Sequence, residues 1–500
     1  MTLLTRAYLI YASQMLRGLD EVRKNPMGKQ EILFNHLIRS GKNTAFGKDH
    51  NFDSIKSIED YQRLVPIREY NDIQPYIDRC RMGEKNVLWN DDILYYAVSS
   101  GTSSDKRKFI PITTESLKRC HFSGFQKMLA TYLNNNPKSR LYDGKSLTFG
   151  GTISQIDSNQ FWSGDLSGIL TKEAPLITNL KRIPSKKVAL IPDFNEKIDA
   201  IVKTCSKEDV TNFAGTPSWL LMLMQKIVAY NNVQYLTDIW PNLELFMHGG
   251  ISFNPYREQF KALIPSPNMH YLENYNASEG YFAFQDDFND PSMLMTADNG
   301  VFFEFQTLGL GGKEKKIYTM ANVELDVPYA VIISSVTGLW RYNIGDVIKF
   351  TSLYPHKIVF EGRTQLFINA FGEELMIGNA EKALSECCKK HNAIVSEFTV
   401  APIFMQDGKK GSHHWVIEFA KAPEDVEKFA DTLDEEICQV NSDYEAKRTH
   451  TYTMDRLRLT SVPKGTFLKW MDSRGKLGGQ NKVPRLAQDS KFVDSIIESL

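Results

Sequence analysis

The feature that most limits how this chain can fold is the alternation between residues 145 and 250. The runs SLTFGGTIS, KKVALIPD and LELFMHGG read as β-strands, and helical stretches such as SWLLMLMQKIVAYN lie between them. Strand and helix in turn predict an α/β layering around a substantial sheet. Between residues 300 and 360 the pattern changes. VFFEFQT, KIYTM, DVPYAVIISS, LWRYNIGDVIKF and HKIVFEGR follow one another with short turns. That spacing predicts a β-rich, barrel-like subdomain attached to the α/β layers. Beyond Gly362 the pattern is helix, strand, strand, helix: residues 376–389, SEFTVAPIF, HHWVIEFA and EDVEKFADTLDEEIC. The expected organisation is therefore a large domain over residues 1–362 and a smaller α+β domain over 363–500. A chain of 500 residues exceeds what one core usually serves, which agrees with two domains.

The N-terminal stretch is expected to be helical and loop-rich. Residues 1–22 read as an amphipathic helix. Residues 29–40 place Ile32, Leu33, Leu37 and Ile38 on one helical face. Thr44 to His50 reads as a loop, and a short helix starts at Ser57 and ends at Pro66. Further on, ILYYAVSS and KFIPI are strands on either side of a polar turn, and a helix begins at Glu115 with Thr113 or Thr114 as its cap.

Composition narrows the function classes. The formal net charge is -1, which argues against a nucleic-acid protein. No run approaches the roughly 18 apolar residues of a spanning helix, so no integral membrane association is expected. The N-terminus lacks the pattern of a secretory signal. The six cysteines are scattered and form no CxxC unit, so a clustered zinc site has no support. Reduced, buried thiols in a cytoplasmic protein are the expectation.

Three stretches carry chemistry. The turn Ser99, Ser100, Gly101, Thr102, Ser103, Ser104 aims backbone N–H groups and hydroxyls at an anion, and Lys106, Arg107 and Lys108 add positive charge beside it. It is not the G-x-x-x-x-G-K-[ST] loop. In YLENYNASEG, Tyr275 is placed to stack on a purine and Glu279 to hold a magnesium ion bound to phosphates. In WRYNIGDVIKF, Asp346 follows a glycine turn, where a carboxylate accepts both ribose hydroxyls. Taken singly, each stretch equally fits a plain surface turn, a strand end with core aromatics, or an ordinary hairpin aspartate.

Together, SSGTSSDKRKFIP, YNASEG and YNIGD resemble the adenylate-forming superfamily of acyl-CoA synthetases, peptide-synthetase adenylation domains and luciferase. The likeness is stronger to the auxin-responsive family of acyl-acid amido synthetases. TAFGKDHNFDSIKSIEDYQRLVPIREYNDIQPYIDR, at residues 44–79, resembles that family's opening, so the likeness spans nearly the whole chain, which is expected to be a bacterial member. The resemblance implies a two-step reaction. A carboxylate attacks the α-phosphorus of ATP and releases pyrophosphate. An amine, typically of an amino acid, then takes the acyl group and releases AMP.

By the same resemblance, Ser100 through Ser103 bind the β- and γ-phosphates, with Ser99 and Gly101 in that loop and Lys108 at its end. Tyr275 and Ala277 line the adenine pocket, with Asn276 between them and Ser278 near the α-phosphate. Glu279 coordinates Mg2+. Asp346 and Arg363 reach the ribose, and Arg363 marks the hinge between domains. Lys482, in GQNKVPR, takes the place of the superfamily's mobile catalytic lysine, which neutralises charge developing on the α-phosphate and acyl oxygen. Asp105 stands where the superfamily loop often has a second glycine, and an anion beside phosphate is unfavourable unless it turns away or meets a cation.

Phe149, Trp162, Phe213, Trp219 and His248 lie on elements expected to wall an acyl cleft, which suits an aromatic or modestly sized apolar acid. The acceptor is open: an amino acid or another amine, or, alternatively, the thiol of coenzyme A or a carrier. A noncatalytic nucleotide-binding protein on this scaffold is the reading from a different class. The acid, the amine and the oligomeric state are not set by the sequence.

Overall fold

The computed structural model describes residues 3–99, 108–155, 161–250, 253, 256–308, 314–363, 367–373, 375–406, 409–449, 453–474, 483 and 485–500. Of the site expectations, Ser100, Gly101, Thr102, Ser103, Asp105 and Lys482 lie outside these residues, and only the backbone of Ser99 and Arg363 is described.

The N-terminal helices follow the sequence closely. Leu3–Lys24 is one helix, and Pro26–Gly41 is the next, capped by the Asn25 side chain on the Gly28 N–H. Leu33, Leu37 and Ile38 are buried as expected, but Ile32 is 70% exposed, and Phe34 takes its place in the core. The reason is angular. Phe34 and Ile38 form one i, i+4 row beside Leu33 and Leu37, whereas Ile32 precedes the stripe by one step of the helix. Thr44 to His50 is not a loop. The Thr44 hydroxyl accepts from the Gly47 N–H and caps a short helix, Ala45–Asp49.

The main sheet has twelve strands among the described residues. Its first part is parallel: Arg182–Ile183, Lys145–Thr148, Val210–Gly215, Leu245–His248 and His270–Ala277, in that spatial order. Beyond His270–Ala277 every pairing is antiparallel, through Gly280–Asp287, Asp290–Met295, His356–Arg363, Tyr342–Leu353, Pro328–Ser335, Val301–Thr307 and Ile317–Thr319. The strand His270–Ala277 is thus the joint between the two halves. The region expected as a barrel-like subdomain continues this open sheet, and no ladder joins the sheet's two ends among the described residues. KKVALIPD is also not a strand: Lys186–Ala189 is a short helix.

A second sheet of four strands holds Lys108–Thr113, Ile93–Ser99, Trp162–Gly164 and Ile153–Gln155. The C-terminal part is a smaller α+β domain. Its strands Ile394–Ile403 and Ser412–Lys421 are antiparallel, and Arg458–Val462 runs parallel to the second. Helices Ile377–Lys390 and Val426–Val440 accompany them. One buried apolar cluster includes Phe213 and Phe246 of the parallel strands and Phe371 and Trp415 of the C-terminal part. The Tyr256 hydroxyl also donates to the Ala370 carbonyl at 2.8 Å. No helix among the described residues is long and apolar enough to cross a membrane.

Candidate active site

In open α/β sheets, ligands gather at the carboxyl ends of parallel strands. Here those ends carry Phe149, Gly215, His248 and the Tyr275–Ala277 segment. The segment ends a strand and turns tightly: Ala277 pairs with Gly280, so Ser278 and Glu279 form a two-residue hairpin turn.

Asp346 arrives from the far half of the sheet. The sequence suggests a glycine turn between two strands, but Tyr342–Leu353 is one strand. Its register against Pro328–Ser335 slips between Ala330 and Ile332, opposite the stretch Asn343–Val347. Gly345 has φ of 85°, a conformation that disfavours side chains. The Asn343 side chain accepts from the Gly345 N–H at 3.0 Å. This is a β-bulge, which re-aims a side chain out of the regular pleat. Asp346, 5% exposed, accepts a short hydrogen bond from the Tyr275 hydroxyl.

That contact says much about the sheet. Four strand steps separate the strands of Tyr275 and Asp346. At about 4.8 Å per step they would lie about 19 Å apart on a flat surface. The sheet therefore curls back on itself and brings the two motifs face to face. Arg363 joins them through its backbone, as the ladder partner of Asp346. The Tyr275 ring packs edge-on against Phe282 and Phe360, with centroids at 4.9 and 5.8 Å.

The base of this strand is fixed from the N-terminal side. Arg341 has φ of 45°, an uncommon conformation for a side-chain-bearing residue. Its guanidinium donates twice to Glu304, at 2.9 and 3.0 Å, and to the carbonyls of Gln62 and Val65 at 2.9 and 2.7 Å. Both side chains are almost fully enclosed, at 3% and 1% exposure. Trp340 beside it is buried and donates to the Leu88 carbonyl at 3.1 Å.

The phosphate-loop expectation is represented by the loop's two flanks. Ile93–Ser99 and Lys108–Thr113 pair antiparallel, with Ser99 opposite Lys108, so the loop's ends are held side by side. The Lys108 ammonium lies 5.9 Å from the Tyr70 ring centroid, and the Tyr70 hydroxyl accepts from the Phe109 N–H at 2.8 Å.

The residues expected to wall an acyl cleft divide. Phe149 and Trp219 meet at 6.0 Å. His248 stacks on Phe253 at 4.2 Å, and neither ring nitrogen has a hydrogen-bond partner among the described residues. Burial first, and Arg257 second, push its pKa down to about 3, so the ring is neutral. Phe213 is fully buried, stacked on Phe246 at 4.5 Å and Phe260 at 6.1 Å, which spends its ring on the core. Trp162 stands on the other sheet beneath the Lys172 ammonium, 3.1 Å from its centroid.

Two polar partners of the motifs carry no signal in the linear pattern. The Asn274 side chain donates to the His248 carbonyl at 2.9 Å. His121 Nδ1 lies 2.9 Å from Asn276 Oδ1, across 155 residues of chain. Burial pushes Cys80 up to about 11 and Cys205 and Cys387 up to about 12, and all six cysteines are free. Among the described residues no group of three or more His, Cys, Asp or Glu side chains is arranged to hold a metal ion.

Three family models match: the GH3 family N-terminal domain over residues 15–269, the GH3 family central domain over 294–363 and the GH3 family C-terminal domain over 378–491. Indole-3-acetic acid-amido synthetase GH3.4 of Arabidopsis thaliana is 23% identical, covering 97% of this chain and 94% of its own length. Jasmonoyl–L-amino acid synthetase JAR6 of Nicotiana attenuata is 21% identical, covering 94% and 93%. Among solved structures, AtGH3.15 acyl acid amido synthetase in complex with 2,4-DB shares the fold with a TM-score of 0.63 at 17% identity, over 98% of this chain and 96% of that one. 2-Hydroxyisobutyryl-CoA ligase shares it with a TM-score of 0.57 at 12% identity, over 96% and 93%. These relatives correct one expectation: the amido synthetases that carry the likeness here are those of Arabidopsis thaliana, Oryza sativa and Nicotiana attenuata, all plants, so the bacterial placement does not stand.

Proposed function

Since this chain belongs to the GH3 family, we propose that it adenylates a small carboxylic acid with ATP and passes the acyl group to an amine, giving an amide, AMP and pyrophosphate. The observation that carries this reading is the hydrogen bond between Tyr275 and Asp346. Two sequence-distant motifs, each ambiguous alone, meet at one place, beside the carboxyl ends of the parallel strands.

In this reading the Tyr275–Ser278 segment receives the adenine and the α-phosphate, and Asp346 and Arg363 receive the ribose. The loop from Ser99 to Lys108 receives the β- and γ-phosphates. Glu279 supplies a carboxylate for Mg2+. A single carboxylate suffices, because Mg2+ commonly takes one or two carboxylates and completes its shell with phosphates and water. Lys482 neutralises charge on the α-phosphate as the acyl-adenylate forms. Exchange at the wild-type rate in Lys482→Ala would remove it from this role. The boundary near residue 362 separates the domain that binds ATP and acid from the one that delivers Lys482, and rotation between the two steps fits that division. The lining by Phe149, Trp219 and His248, neutral and largely apolar, favours an aromatic or apolar acid. An amino acid is the preferred acceptor, as the names of the curated relatives suggest. The free thiols fit a cytoplasmic setting.

The test is ATP–pyrophosphate exchange screened across aromatic, fatty and hydroxy acids, followed by AMP release with amino acids or coenzyme A. Acid-dependent exchange, and AMP release driven by an amino acid without any thiol, are the expected results. No exchange with any acid in a protein that binds ATP would sink adenylation. AMP release that requires coenzyme A would sink the amide step.

A further inference from the structure

The helix expected from Glu115 starts with α-helical Thr114 and Glu115 and then widens. Ser116–Phe122 is a π-helical turn, and the α-helix Ser123–Asn135 follows it. π-Turns widen the backbone by one residue and recur at functional sites. This one stands at a notable junction. The strand leading out of the phosphate-loop region, Lys108–Thr113, ends two residues before it. Thr113 and Ser116 bond reciprocally: the Thr113 N–H donates to Ser116 Oγ and the Ser116 N–H to Thr113 Oγ1, each at 3.0 Å. Strand and turn are thereby joined stiffly.

The turn then grips the nucleotide hairpin on both of its strands. Cys120 Sγ accepts from the Tyr281 N–H at 3.0 Å, and His121 Nδ1 meets Asn276 Oδ1 at 2.9 Å. Tyr281 and Asn276 are ladder partners across the hairpin. The two contacts therefore hold the same rung, just below the Ser278–Glu279 turn. Behind them Gly124 leaves no room to spare: a Cβ there would stand 2.2 Å from the Tyr281 ring.

His121 is a poor choice for a mere filler. It is 1% exposed, and its Nε2 has no hydrogen-bond partner among the described residues. An apolar side chain would fill the space without burying that acceptor. What an apolar side chain lacks is a donor for Asn276. With Asn276 Oδ1 as acceptor, Nδ1 carries the proton, and burial keeps the ring neutral by pushing its pKa down to about 4.

We propose that the π-turn Ser116–Phe122 is a brace between the strand Lys108–Thr113 and the Tyr275–Glu279 segment, and that His121, through Asn276, is a positioning residue for ATP. The inference rests on the nucleotide site described under Proposed function. It does not need the identity of the acid or of the acceptor. Sites that stabilise developing charge depend on groups held in place before the substrate arrives. The brace supplies this by fixing the purine end of the site to the strand Lys108–Thr113.

The experiment uses the full chain with His121→Ala, His121→Gln, Asn276→Ala and the double alanine variant. ATP affinity is read by calorimetry, the KM for ATP by pyrophosphate exchange, and folding by thermal melting. Each alanine variant is expected to weaken ATP binding and raise this KM roughly tenfold. The double variant is expected to match the single ones, because both remove the same contact. His121→Gln, which keeps a donor, is expected to recover most of the loss. Effects on ATP affinity that multiply in the double variant overturn the brace. So does a change in melting temperature with ATP affinity unchanged. Should His121→Ala fail to fold, His121→Gln and Asn276→Ala decide by the same criteria. Wild-type protein that binds ATP without exchange with any acid overturns adenylation alone, and the calorimetry still judges the brace. Wild-type protein that does not bind ATP overturns both.

Discussion

Alanine at Asp346 is expected to lower acid-dependent pyrophosphate exchange, as kcat/KM for ATP, by roughly 30- to 1000-fold. The buried carboxylate accepts from the Tyr275 hydroxyl and, in the proposed site, from the ribose. Hydrogen bonds to charged groups are each worth about 1.5–3 kcal/mol, and about 1.4 kcal/mol is a factor of ten. Losing the ribose contact and the fixed position of Tyr275 together gives about 2–4 kcal/mol. Tyr275→Phe separates these contributions. It keeps the ring between Phe282 and Phe360 and leaves Asp346 to the ribose, so its loss should be only about tenfold. The order of the two variants matters more than either value. Tyr275→Phe as damaging as Asp346→Ala would mean that the pair acts only as a structural tie. Asp346→Ala within threefold of wild type would take the carboxylate out of the nucleotide site.

This pair also marks how far local pattern reaches. The runs that became Val301–Thr307, Tyr342–Leu353 and His356–Arg363 were legible because alternating apolar residues and short turns leave a strand few alternatives. KKVALIPD misleads for a physical reason. Four apolar residues in a row fit a buried strand and a buried helical turn equally, and only tertiary packing chooses. Asp346 could be singled out from YNIGD, but not its aim. The bulge at Gly345 is a property of pairing with Pro328–Ser335, and the approach to Tyr275 depends on the curl accumulated over four strands. His121 gives no linear signal. Its partner Asn276 lies 155 residues away, and one histidine in a helix resembles any other. Residues that present motifs are therefore readable from sequence, whereas residues that hold the motifs in place are not.

Arg341 is the clearest case of such a holding residue, and Arg341→Ala is expected to destabilise the protein by about 3–5 kcal/mol. The guanidinium is enclosed and satisfies Glu304 with two bonds and the Gln62 and Val65 carbonyls with two more. Removing it leaves the buried carboxylate with only the Gln62 amide, which donates at 2.9 Å, and orphans two carbonyls, and the uncompensated charge dominates the loss. Arg341→Met with Glu304→Leu removes both charges, so the buried-ion penalty goes with them. That double variant should recover most of the stability, leaving the Gln62 and Val65 carbonyls and the half-buried Gln62 amide without these partners. Urea midpoints read the comparison directly. A midpoint for Arg341→Ala close to wild type would mean that the Gln62 amide suffices for the carboxylate or that it takes up a proton. The function should follow with a different profile. Arg68 and Asn343 flank the pair by backbone hydrogen bonds at 2.9 Å from the Arg68 N–H to the Arg341 carbonyl and 2.8 Å from the Asn343 N–H to the Arg68 carbonyl. Asn343 in turn supports the bulge that aims Asp346. In the double variant these backbone contacts remain, so exchange activity should persist. An active, folded double variant beside an unstable single one would separate the anchor's electrostatic role from the site it supports.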